Sequence, residues 1–144
     1  MRDHVRFRST RFGTEGEEGP GSLALPLAEW LRERLGAVGV PLGEAVVEDW
    51  GCLLSVEQEG SNVSLAVGPV TGSDGEWLVF AEPVGPGFFA RLFGRQPPPD
   101  PSHVPFVTER LDEVLHAEPD FTEISWFEAD RRTGTERDYA DHPG

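Results

Sequence analysis

A chain of 144 residues that is 38% hydrophobic, with four tryptophans and nine phenylalanines, has the length of one ordinary domain and enough apolar surface for a buried core. A formal net charge of −14 disfavours approach to nucleic-acid phosphates, and the apolar runs are too short and too broken by charge to span a bilayer. The single cysteine, Cys52, allows no internal disulfide, which fits a reducing cytoplasm and makes the Asn62-Val63-Ser64 sequon incidental.

The opening MRDHVRFRST has charge but no apolar stretch behind it, so no secretory signal is expected. All 12 basic side chains are arginine, and Ile124, Asn62 and Tyr139 are the sole residues of their types. Joint depletion of residues with A/T-rich codons points to a GC-rich bacterial genome. The first 12 residues hold Arg2, Arg6, Arg8 and Arg11 against Asp3, a balance of +3, and the remainder therefore carries −17. Acidity of this size favours a basic protein partner, or serves solubility alone.

In chain order, HVRFRSTRF (4–12) alternates, with Val5 and Phe7 opposed to Arg6 and Arg8, and predicts a half-buried strand. The acidic, glycine-rich segment 13–21 predicts a loop. A helix is expected from Ser22, with Pro26 in its first turn and Leu27, Trp30, Leu31, Leu35 and Val38 on one face, ending at Gly36 and Gly39. Segments 44–58, 62–69 and 76–82 predict an antiparallel meander separated by EGSN and VTGSDGE turns. After a long connection, a second helix opens near Pro105, turns Val107, Leu111, Val114 and Leu115 inward, and stops before Pro119. TEISWFE (122–128) predicts a last strand with Ile124 and Trp126 on one face, and residues 129–144 a disordered tail. The expected architecture is one α+β domain over 1–128, a two-layer sandwich of order β-α-β-β-β-α-β with a mainly antiparallel sheet.

VVEDWGCLL (46–54) raises the sharpest question, because regular alternation would bury Glu48 among apolar neighbours at a cost of several kcal/mol unless it is paired. Either an arginine partners Glu48, or the strand bends at Asp49-Trp50-Gly51 with Trp50 as a core anchor. The functional alternative presents Glu48 and Asp49 beside a tryptophan wall as a binding or acid–base site. GFFARLFGR (87–95) sets Phe88, Phe89, Leu92 and Phe93 on one side of a helical turn flanked by Arg91 and Arg95, which fits either a satellite helix packed on the sheet or a contact with a partner or, as a third and poorer reading, a membrane surface.

His4, His103, His116 and His142 show no mutual metal-ligand spacing, and no nucleophile elbow, phosphate loop or dinucleotide glycine series is present. Neither a metal nor another cofactor is expected. Cys52 reads as a core residue.

Several segments resemble an uncharacterised bacterial family of small acidic α+β proteins: LAEWL (27–31), EDWG (48–51), EWLVF (76–80), RLFGR (91–95) and ISWF (124–127). The likeness covers residues 5–128, with Cys52 standing where that group carries a second tryptophan, and it implies no activity. Small acidic α+β proteins are also frequent among immunity proteins. The expected function is a cytoplasmic, non-catalytic interaction module, immunity- or adaptor-like, meeting a basic protein with Phe89 or Phe93 as an anchor. The competing readings are a small-ligand-binding protein or enzyme centred on Glu48, Asp49 and Trp50, and a protein that self-associates through an edge strand.

Overall fold

Residues 1–12, 19–83, 101–130 and 133–144 are described by the computed structural model. The first strand, β1 (His4–Ser9), is followed by helix α1 (Pro20–Ala37), a two-residue strand β2 (Val46–Val47), and β3 (Cys52–Ser55), β4 (Val63–Pro69) and β5 (Glu76–Pro83). Helix α2 (Val104–His116) leads to β6 (Phe121–Ala129) and β7 (Glu136–Ala140). These form an open antiparallel sheet of order β2-β3-β4-β5-β1-β6-β7. Both helices lie on one face of it, α1 against β3 and β4, α2 against β5 and β6. The expected α+β sandwich and its order are present. The expected segment 44–58 is divided into β2 and β3, and β7 is added.

The tail expectation is corrected. Glu136–Ala140 pairs with β6, because the Arg2 guanidinium reaches Asp138 (3.1 Å), Arg6 reaches Glu136 (2.6 Å) and the Tyr139 ring meets that of Phe127 at 5.2 Å, tilted by 34°. Charge pairs and an aromatic contact thus hold a segment with little aliphatic surface.

Burial follows the alternation. Val5, Phe7, Leu65, Val67, Trp77, Val79 and Ala81 turn toward the helices, where Leu27, Leu31 and Leu35 of α1 and Leu111 and Leu115 of α2 meet them. Val38, expected inward, lies exposed just past the end of α1. The helix closes there through a Schellman arrangement: Val40 N–H donates to the Leu35 carbonyl (2.8 Å) and Gly39 N–H to that of Gly36 (3.3 Å), with Gly39 at φ 94. Pro26 is also corrected. The helix starts at Pro20, so Pro26 sits inside it, on the exposed side, where water can reach the carbonyl that its missing N–H leaves free.

The basic N-terminal strand is internal, between β5 and β1's other neighbour β6. Its arginines point to the face away from the helices and are paired there. Arg6 meets Glu76 (3.2 Å), Arg8 meets Glu123 (2.6 Å), and beyond the strand Arg11 meets Asp120 (2.8 Å) and Glu118 (3.2 Å). The +3 of the first 12 residues is therefore matched by acids distant in sequence, on other strands and on the turn before β6. Glu123, at φ 53, sits in a bulge where Phe7 of β1 faces two residues of β6.

Candidate functional site

The segment 41–57 is a hairpin at the edge of the sheet. Gly43 N–H donates to Ser55 O (2.9 Å), Glu57 N–H to Pro41 O (2.8 Å) and Glu48 N–H to Gly51 O (2.8 Å), so the chain reverses over Asp49 and Trp50. The dilemma over Glu48 is thereby answered: the stretch is not one strand but two, and Glu48 and Asp49 are exposed at the turn. The expected inward indole is corrected, since Trp50 is 46% exposed.

Two close approaches shape this turn. A Cβ on Gly51 would lie 2.1 Å from the carbonyl oxygen of Val67, so only glycine lets the turn run this near to β4. A Cβ on Gly68 would lie 2.8 Å from the Trp50 carbonyl and 3.7 Å from Cε3 of its ring, which places the indole beside the bare backbone of Gly68. Behind the hairpin, a Cβ on Gly21 would meet Glu48 O at 2.2 Å, so β2 abuts the first turn of α1.

Side-chain direction follows from pairing. Cys52 and Leu54 face the helices, whereas Leu53 faces away and is opposite Val46. Val46 (55% exposed) thus shares the outer face with Leu53 and Trp50, and Val47 (49%) lies beside α1. Registers continue this row as Leu53–Ala66–Phe80–His4–Phe127, and the His4 imidazole stacks on Phe80 at 4.7 Å. An apolar tip therefore sits at the edge of the outer face.

Acids surround it. Residues 39–62 contain Glu44, Glu48, Asp49, Glu57 and Glu59 and no arginine. Elsewhere, Arg2 pairs with Asp138, Arg34 with Glu118, Arg110 with Glu113 and Arg137 with Glu128, whereas Arg32 of α1 donates to the Leu42 carbonyl at the base of the hairpin (3.1 Å). The hairpin segment thus presents a run of five acids next to exposed valine and tryptophan. Cavities of ≈ 430 and ≈ 320 Å³ lie beside Arg8 and Asp74 and between Arg34 and Glu113; neither is lined by Glu48, Asp49 or Trp50.

Cys52 is buried at the base of the hairpin, its thiol donating to Gly21 O at 3.4 Å. Burial, reinforced by the Glu29 carboxylate, pushes the thiol pKa up, which suits a core residue and not a nucleophile. Phe88, Phe89, Phe93, Arg91 and Arg95 lie outside the described residues.

One constellation escaped the sequence reading. Asp112 and His116 are four apart on α2, and His142, from the segment taken for a disordered tail, reaches the same carboxylate. The i, i+4 pair was visible in the sequence; its third member required β7. No protein-family model matches this chain, and no curated protein and no solved structure shows significant similarity to it.

Proposed function

We propose that this chain is a non-catalytic protein-interaction module, immunity- or adaptor-like in kind, that meets a basic protein through its β2–β3 hairpin in a bacterial cytoplasm. The observation that carries this reading is the joint exposure of Val46, Val47 and Trp50 on an edge hairpin whose own segment holds five acids and no arginine, with Arg32 of α1 reaching only its base at the Leu42 carbonyl. Net charge steers a basic partner toward the molecule, and the acids of the hairpin orient it. The half-exposed indole then supplies an anchor of the type that dominates interface energies, while the outer side of β2 offers backbone groups to an added strand. Trp50 takes the anchoring role that the sequence assigned to Phe89 or Phe93. A small-ligand or enzymatic role has less support, because Glu48 and Asp49 are exposed on a turn and line neither of the larger cavities described above.

The test compares wild type with Trp50→Ala and with a Glu48→Arg/Asp49→Arg double variant as immobilised baits in host lysate at low and moderate salt. Wild type is expected to retain a basic protein at low salt that both variants lose. Identical retention by all three, or no basic protein on any, overturns the proposal.

A further inference from the structure

Asp112 lies at the junction of α2 and the C-terminal segment, and its two oxygens meet two different histidines. Oδ1 is 2.9 Å from His116 Nδ1 and Oδ2 is 2.9 Å from His142 Nδ1. The imidazole rings are 5.2 Å apart and tilted by 34°. One ligating atom from each of the three residues lies within 4.8 Å of the other two. The carboxylate is held from behind by Trp126, whose indole N–H donates to Oδ1 at 2.8 Å. Its side chain is 15% exposed, whereas those of His116 and His142 are 39% and 69% exposed.

We propose that Asp112, His116 and His142 form a site for a divalent transition-metal ion that fastens the C-terminal segment to α2. The donor set is two imidazole nitrogens and one carboxylate oxygen, which suits borderline ions such as zinc, cobalt or nickel; calcium and magnesium require oxygen shells. Zinc–nitrogen and zinc–oxygen bonds of about 2.0–2.2 Å set ligand atoms roughly 3.3 Å apart around a tetrahedral ion. The ligand atoms here lie within 4.8 Å of one another, and closing on an ion requires the exposed histidine rings to rotate out of their contacts with Asp112, which for His116 include the backbone carbonyl at 3.0 Å from Nδ1. Trp126 acts as the outer partner that fixes the carboxylate, a role that metal ligands ordinarily need filled. The surplus negative charge of the chain raises the local concentration of cations. Because His142 follows β7 and the other two ligands sit on α2, an ion bound here ties the last strand to the helical layer.

Isothermal titration of the full-length, tag-free, metal-stripped chain with Zn²⁺ tests this, alongside visible absorption with Co²⁺ as a probe of ligand geometry. One ion per chain is expected. His142→Ala and His116→Gln, both at exposed positions, should keep the fold by circular dichroism and weaken binding by roughly tenfold or more. Zn²⁺ should also slow amide exchange in residues 136–142 of wild type but not of His142→Ala. Absence of saturable binding, or equal binding by wild type and His142→Ala, overturns the site and leaves a hydrogen-bonded cluster only.

Discussion

Gly51 runs so close to Val67 that a Cβ on it would stand 2.1 Å from the Val67 carbonyl oxygen. The obstacle is backbone, which cannot swing aside as a side chain could. Gly51→Ala must therefore push the hairpin off β4, and the strain of such overpacking is about 1–3 kcal/mol. Denaturant unfolding monitored by circular dichroism checks this. Trp50→Ala, which removes a half-exposed ring, should cost less than Gly51→Ala; the reverse ranking would place the indole in the core after all.

Of the tryptophans, Trp77 and Trp126 are fully buried, whereas Trp50 is 46% exposed. Iodide or acrylamide should quench a distinct, accessible fraction of the native fluorescence, and Trp50→Phe should remove most of that fraction while leaving the blue-shifted remainder. If quenching is unchanged in Trp50→Phe, the ring is not where the structure sets it.

Cys52 should react slowly with thiol reagents at neutral pH in the native state and rapidly in urea. Because its folded pKa is raised above the ordinary value of 9.0, its contribution to stability is intact below that value. As pH climbs past 9.0, the unfolded chain releases its thiol proton first and the folded state loses its advantage, by at most about 1.4 kcal/mol per pH unit. Tyr139, whose hydroxyl donates to Glu136, is raised in the same sense from 10.0. Cys52→Ala should flatten the onset of the alkaline decline while leaving the Tyr139 part in place. Stability that increases with pH above 9.0 would contradict both shifts.

The core was legible because its signals are local. Val5 and Phe7 alternate with arginines, and Leu27, Leu31 and Leu35 recur at four-residue steps. These patterns fix a face without knowledge of what covers it. The hairpin was half legible: acids and a glycine inside an apolar run demanded a break, but a bulge and a chain reversal satisfy that demand equally, and only pairing with β4 decides between them. Trp50 was misread because residue type alone favours burial, whereas the turn geometry puts this ring on the surface beside Gly68. The tail misled for a different reason. Its binding to the sheet depends on Arg2 and Arg6, more than 125 residues away in sequence, a pairing that no local pattern announces.

The interaction surface itself is tested most directly by site-specific cross-linking in cells. A photoreactive benzoylphenylalanine replaces Val46 on one edge of the sheet or, as a control, Tyr139 on the other; both positions are more than half exposed. Illumination should yield an adduct with a basic protein from position 46 and not from position 139, and Trp50→Ala should abolish it. Adducts from position 139 alone, or from neither position, would contradict a partner seated on the acidic hairpin.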